Sequence, residues 1–186
     1  MRDERSNELP NLTALELTTM EPRCFPLLNF FGKMRILCVH PESPVDEAAV
    51  RALLSSLRAM TELRRFEING GQLTPELQAT LLDGLTVVAP QLHELRLLGF
   101  ASLSFLHALR GCAQLRKLKM SGCGPAGATA SEGSQSIDDV LQLVQSLNHL
   151  EWLEFDYCDL PLTDAQRAQL TPPSVLVPSL RRFQWS

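Results

Sequence analysis

Apolar residues recur along the chain in a six-residue pattern, L-x-x-L-x-L with the usual apolar substitutes. It occurs at Leu12/Leu15/Leu17, Met34/Leu37/Val39, Leu63/Phe66/Ile68, Leu92/Leu95/Leu97, Leu115/Leu118/Met120, Leu150/Leu153/Phe155 and Leu180/Phe183/Trp185. The first positions advance by 22, 29, 29, 23, 35 and 30 residues. Alternate side chains of a strand face the same way, so the fourth and sixth positions of each motif point to one side. Seven such strands, stacked side by side, would merge these positions into one continuous core.

Helical patterns fill the segments between the motifs. Ser43-Pro44-Val45-Asp46 combines a serine cap, a proline at the first helical position and an acid at the third, which is typical of a helix start. Further starts are Thr74-Pro75, Ser136 with Asp139, and Thr163 with Gln166, the last of these before Pro172-Pro173. Strand and helix therefore alternate, which predicts an α/β architecture.

Composition fits one soluble globular domain with a repeated core layer. Apolar residues make up 45% of the 186 residues and charged residues 20%. Leucine far outnumbers the eight phenylalanines, two tryptophans and one tyrosine. This bias indicates a leucine-filled layer that is repeated along the chain, rather than an irregular core.

Charge and cysteine content narrow the function classes. A net charge of −4 and a pI near 5.6 argue against nucleic acid as the main ligand, because phosphates need a basic footprint. No run of roughly 20 apolar residues predicts a membrane span, and the mixed charges at the start do not resemble a secretory signal. The five cysteines are widely spaced with no CxxC pair, which favours reduced thiols in the cytoplasm or nucleus.

Two segments extend the repeated pattern to L-x-x-L-x-L-x-x-N/C-x-L. Residues 150–160, LEWLEFDYCDL, match it in full, and Leu115 through Cys123 match it as far as the cysteine. The chain thereby resembles the leucine-rich-repeat superfamily, specifically its ribonuclease-inhibitor-like and cysteine-containing types. The resemblance covers roughly residues 9–186 and leaves residues 1–8 as an N-terminal tail. It implies an α/β solenoid, a horseshoe segment of about seven repeats, with a parallel sheet on the concave face and helices on the convex face.

The resemblance also implies a structural role for Cys123 and Cys158. In that family the N/C side chain hydrogen-bonds backbone where the chain turns out of the strand. The other repeats carry Met20, Glu42, Gly71 and Phe100 at this position, so their turns must close differently.

Proteins of this class are mostly interaction modules, so the resemblance implies a non-catalytic scaffold that binds a protein partner. The alternative is a structural segment of a larger solenoid or assembly. That alternative includes a ubiquitin-ligase substrate receptor whose adaptor segment is missing here. No cofactor is expected from either interpretation.

The register names the residues expected on the concave face, where we predict that the partner binds. Position three holds Arg65, Glu94, Lys117, Trp152 and Arg182, position five holds Glu67, Arg96, Lys119 and Glu154, and position seven of the sixth motif holds Asp156. The alternating charges could form a self-paired ladder or a platform for a charged partner. Trp152 is a candidate hot spot for binding, unless the insert before its repeat folds over it.

The insert, residues 122–136, is rich in Gly, Ala and Ser and reads as a flexible loop. It holds a literal GxGxxG from Gly122 to Gly127, but Pro125 and the distance to the next helix argue against a phosphate site. The four histidines show no metal-ligand spacing. Cys38 and His40 share a strand face without an evident orienting partner, so catalysis is not expected.

The last motif predicts an apolar edge. Phe183 and Trp185 belong to a seventh strand that no polar capping unit follows in this sequence. Solenoid ends need such caps. We therefore expect that the chain continues beyond this strand, or that the edge meets a partner or a second copy.

Overall fold

The computed structural model describes residues 12–88, 90–101, 104–124, 140–158, 162–174 and 176–186. Seven parallel strands form one sheet, in which their order is the order along the chain. The strands are Ala14–Met20 (β1), Ile36–Pro41 (β2), Arg65–Asn69 (β3), Glu94–Leu98 (β4), Lys117–Ser121 (β5), Trp152–Asp156 (β6) and Arg182–Trp185 (β7). Each begins at the third position of one motif. The predicted α/β class and the predicted strands are therefore confirmed.

Equivalent motif positions pair with each other across the sheet. Leu95, at position four of its motif, pairs with Phe66 of β3 on one side and with Leu118 of β5 on the other. The register is regular except in β1, where it shifts between Leu17 and Met20. A slip by one residue would turn every apolar side chain of a strand to the opposite face, so the burial of alternate residues fixes the pairing.

Helical segments connect the strands. The chain forms 3-10 helices at Pro22–Phe30 and Ser104–Gly111, and α-helices at Glu47–Ala59 (α1), Pro75–Val88 (α2), described residues 140–146 (α3) and Asp164–Leu170 (α4). Within these described ranges, no helix has both the length and the apolar character that crossing a membrane requires.

The predicted helix starts have different outcomes. The capping box at Thr163 and Gln166 is confirmed, with the hydroxyl of Thr163 accepting from the Gln166 N–H at 3.2 Å. The start at Ser43 is wrong, because α1 begins after Asp46, whose carboxylate accepts from a backbone N–H at 2.7 Å. Val45 lies before the helix, and its N–H donates to the carbonyl of Gln72 in the next repeat at 2.9 Å. The start at Ser136 and Asp139 lies outside the described residues, as does the predicted tail.

Strands and helices share one hydrophobic core. Leu95 and Phe66 on the sheet are fully buried, as are Leu53 on α1 and Leu85 on α2. All of them belong to a single cluster of apolar side chains that extends from β1 to β7. The alternate strand positions are only half-buried, so the sheet has one face packed against this core and one face available to other molecules.

Leu95→Ala tests this packing. Removing a fully buried side chain at the centre of the sheet should lower the free energy of unfolding by about 2–5 kcal/mol, measured by urea denaturation. Val87→Ala is the control, because that side chain on α2 is 70% exposed and its loss should change the value by less than about 0.5 kcal/mol. Equal destabilisation by the two variants would contradict this description of the core.

Candidate functional site

The strand residues that point away from the core form a continuous surface, here called the outer sheet face. Across it, Arg65, Glu94, Lys117, Trp152 and Arg182 lie in one row, and Glu67, Arg96, Lys119 and Glu154 lie in a second row, with Asp156 in line with Ser121. Every residue predicted for the concave face is therefore on this surface. Its side chains divide into three groups with different electrostatics.

The first group neutralises itself. Glu67 lies 3.3 Å from Arg65 and 3.5 Å from Arg96, measured from carboxylate oxygen to guanidinium nitrogen. Glu94 contacts the same two arginines, at 3.7 and 2.7 Å. Two arginines and two glutamates thus alternate across β3 and β4, and His40 Nε2 adds a hydrogen bond of 3.1 Å to Glu67. These contacts fit the self-paired alternative for this part of the surface.

Glu67 is the centre of that group. Its side chain is only 13% exposed, and burial raises its pKa. Hydrogen bonds from His40 and Arg65, together with the charge of Arg96, lower the pKa by more than burial raises it. The pKa of Glu67 therefore lies below the ordinary glutamate value, and the carboxylate stays charged to a lower pH than in an unfolded chain.

The predicted charge ladder stops at Glu94. Lys117 is the strand neighbour of Glu94, yet it forms no ion pair with it. The carboxylate of Glu94 contacts the guanidinium of Arg96 instead, at 2.7 Å. A guanidinium presents several donors in a fixed plane, so it holds a carboxylate more firmly than the single ammonium of a lysine. The self-paired alternative therefore does not extend to Lys117.

The second group, here called the Trp152 cluster, consists of Lys117, Trp152 and Arg182. The Lys117 Nζ lies 5.0 Å from the centroid of the indole ring, and the Arg182 Cζ lies 4.2 Å from it. These are cation–π distances. The ring is half-buried, and its Nε1 is buried without a hydrogen-bond acceptor in the part of the chain described. The alternative that the insert folds over Trp152 concerns residues 125–136, which lie outside the described residues.

The third group centres on Lys119. Its Nζ lies 2.7 Å from Glu154 and 3.7 Å from Asp156. The hydrogen bond to Glu154 raises the pKa of Lys119, and the charges of both carboxylates raise it further. Asp156 also accepts a hydrogen bond of 2.6 Å from the hydroxyl of Ser186. This group neutralises its lysine and leaves a small surplus of negative charge.

An exposed tyrosine borders the outer sheet face. Tyr157 follows β6 and has φ 52, the left-handed conformation that Gly99 and Gly122 adopt at the same motif position in other repeats. Its side chain is 81% exposed. The conformation strains a residue that has a Cβ atom, by about 1–2 kcal/mol. Tyr157 was not among the residues predicted for this face, although aligning the eighth motif positions places it where three other repeats carry Gly70, Gly99 and Gly122.

The two cysteines with a predicted turn role lie at the ends of β5 and β6. The Cys123 thiol donates to the carbonyl oxygens of Leu97 and Ser121, each at 3.4 Å. The Cys158 thiol donates to the carbonyl oxygen of Met120 in β5 at 3.4 Å and to that of Asp156 in β6 at 3.6 Å. The pKa of the Cys123 thiol is raised by its hydrogen bond with Cys158 and by burial.

The other candidate chemistry finds little support in the geometry. His40 contacts Glu67, and burial together with the Glu67 charge raises the pKa of the Cys38 thiol, which disfavours a nucleophilic thiolate. No group of three or more His, Cys, Asp and Glu side chains could hold a metal ion within the described ranges. Of the GxGxxG segment, residues 122–124 are described, with φ 59 at Gly122 and φ 127 at Gly124, and residues 125–127 are not.

The apolar edge at β7 is partly covered. Phe183 and Trp185 pack edge-on against Phe155, with ring centroids 6.3 and 5.7 Å away. The guanidinium carbon of Arg167 lies 5.6 Å from the Trp185 ring centroid. Both aromatic side chains remain half-buried, so the edge strand offers apolar surface without being fully exposed.

Neither a scan of protein-family models nor a search of curated proteins found a match to this chain.

Glu67→Gln tests the electrostatics of the first group. At neutral pH we expect the free energy of unfolding to fall by about 1–3 kcal/mol, because the charged hydrogen bonds to Glu67 are weakened. The folded-state pKa of Glu67 is lowered, so its contribution is present above the unfolded glutamate pKa of about 4.3 and is lost as the pH falls through the folded value. The difference between wild type and variant should therefore shrink in acid, as denaturation at several pH values would reveal.

Glu62→Gln provides the matched control, because Glu62 forms an exposed pair with Arg35 and should contribute less than about 0.5 kcal/mol. A Glu67→Gln difference that stays constant from neutral pH into acid would contradict the lowered pKa.

Proposed function

We propose that the chain is a leucine-rich-repeat solenoid, ribonuclease-inhibitor-like and cysteine-containing, that acts as a non-catalytic scaffold for a protein partner. The outer sheet face is the concave face of this horseshoe and the surface that binds. Support comes from seven parallel strands in chain order and from thiols that contact backbone at two strand ends. The five cysteines are free, which favours a reducing compartment such as the cytoplasm or nucleus.

The Trp152 cluster is the observation that carries the proposal. Tryptophan and arginine are the residue types most enriched among interface hot spots, and a hot spot contributes most where the surrounding residues exclude water. Trp152 is held between Lys117 and Arg182, so little side-chain entropy remains to be lost on binding. The first and third groups of charged side chains supply the polar rim that is typical of a non-obligate interface.

A second candidate function is that of a structural segment of a larger solenoid or assembly. The half-buried aromatic residues of β7, Phe183 and Trp185, favour it, since an edge strand with apolar side chains is suited to pair with a further strand. A ubiquitin-ligase substrate receptor with a separate adaptor segment is one such assembly. The two functions use different surfaces, and substitutions can therefore separate them.

Trp152→Ala tests the outer sheet face. We expect captured proteins in an affinity experiment with quantitative mass spectrometry to fall about tenfold or more, because the variant removes the central contact of the interface. The matched control is Val87→Ala on α2, which changes an exposed apolar residue away from the sheet and should leave capture unchanged. Thermal unfolding of both variants verifies that they fold. Unaltered capture by folded Trp152→Ala would refute the proposed surface, and loss of capture only on substitution of Phe183 would favour the assembly role.

Tyr157→Gly separates stability from function. Glycine adopts φ 52 without strain, so we expect the free energy of unfolding to stay the same or to rise by about 1 kcal/mol. Partner capture should nevertheless weaken, because an exposed aromatic side chain beside the interface is lost. Denaturation and capture are measured on the same preparation. A variant that is less stable and binds normally would show that Tyr157 has a structural role.

A further inference from the structure

Lys117 and Arg182 differ from the other cations of the outer sheet face. Arg65, Arg96 and Lys119 each contact at least one carboxylate. Lys117 and Arg182 have no carboxylate oxygen within ion-pair distance among the described residues, although both side chains are exposed. Among the described residues, both positive charges face the electron-rich Trp152 ring, and Arg182 also donates to the neutral amide oxygen of Gln184.

We propose that the Trp152 cluster binds an acidic segment of the partner protein, with side-chain carboxylates of that segment seated on Lys117 and on Arg182. The inference rests on the proposed function and names the chemistry of its ligand. A chain with net charge −4 can select an acidic partner in this way, because the attraction to the partner's carboxylates is confined to the two cations of the Trp152 cluster.

Charge complementarity limits where the carboxylates can bind. Over β3 and β4 an incoming carboxylate would meet Glu67 and Glu94, which already occupy the arginines there. Over Lys119 it would meet Glu154 and Asp156. Like charges brought together at an interface are costly, so these groups repel an acidic segment and direct it to the remaining cations.

The spacing of the cations defines the ligand more closely. Lys117 and Arg182 lie on the two strands that flank β6, and two strand spacings are about 9.6 Å. In an extended segment alternate side chains face the same way, and carboxylates two residues apart are separated by about 6.6 Å, within reach of these long side chains. The ligand is therefore a pair of acidic residues two positions apart, with the backbone between them over the ring.

The donors suit carboxylates. Arg182 Nη2 donates to Gln184 Oε1 at 3.0 Å, which orients the guanidinium and leaves its other nitrogens for a two-point contact. The small cavity beside the ring, about 40 Å³, is also lined by Glu94 and Glu154, so we place the carboxylates on the exposed sides of Lys117 and Arg182 and not in this cavity.

Selection from a library of random peptides tests the inference on the full chain. We expect peptides selected on the wild type to be enriched in acidic pairs two residues apart. On Lys117→Gln/Arg182→Gln this enrichment should disappear, and on Lys117→Glu/Arg182→Glu it should change to basic pairs. The control Arg58→Gln changes one exposed positive charge on α1 and should keep the acidic enrichment.

A selected peptide, labelled for fluorescence anisotropy, then supplies the affinity. Replacing its two acids by glutamine should weaken binding about tenfold or more, through the loss of two charge-assisted contacts, and added salt should weaken the acidic form. The neutral Gln variants keep the test valid if the charge-reversed chain does not fold. An RNA oligonucleotide that displaces the peptide and binds more tightly would overturn the inference in favour of nucleic acid.

The result also separates this inference from the proposed function. If the wild type selects peptides that depend on Trp152 but show no acidic enrichment, the scaffold proposal stands and the acidic ligand is wrong. The same conclusion follows if the Gln variants select the same acidic peptides as the wild type. If no peptide binds and Trp152→Ala captures the same proteins as wild type, both proposals fail.

Discussion

Burial of alternate apolar residues against the helices fixes the register of the parallel strands, and the rest of the structure depends on that register. Leu95 lies between Phe66 and Leu118 in the sheet, and all three are buried. Because a strand alternates its side chains, the same constraint that buries these residues turns their neighbours outward in rows. The outer sheet face is thus a consequence of how the core packs.

Competition between side chains decides what that face can do. Equivalent positions place five basic residues within reach of acidic ones, yet they do not pair evenly. Arg96 contacts both Glu94 and Glu67, and Lys117 lies against Trp152. The outcome is a surface whose charges cancel over β3 and β4 and remain uncompensated around one aromatic ring. Such an uneven distribution gives a partner one anchoring point and several repulsive ones, which is how interface charges produce specificity.

Much of the fold follows from short-range pattern. The strand positions could be predicted because the motif repeats seven times. The cap at Thr163 could be predicted because its capping box involves only Thr163 and Gln166, three residues apart. The start of α1 could not be predicted, because Asp46 and not Ser43 is the cap, and the Val45 N–H before it donates to the carbonyl of Gln72 in another repeat. Tyr157 was missed for a different reason: its left-handed conformation is visible in sequence only by comparison with Gly99 and Gly122 at the same motif position.

The sequence by itself determined which residues face the core and which form the outer sheet face, because a period of two in a strand allows only two faces. It also placed Trp152 between Lys117 and Arg182 in one row. Only the tertiary structure decided which charges pair, because side chains from neighbouring strands compete for the same carboxylates over a few ångströms. That competition left Lys117 and Arg182 with the indole ring, and it is the reason that the proposed acidic ligand could not be read from the sequence.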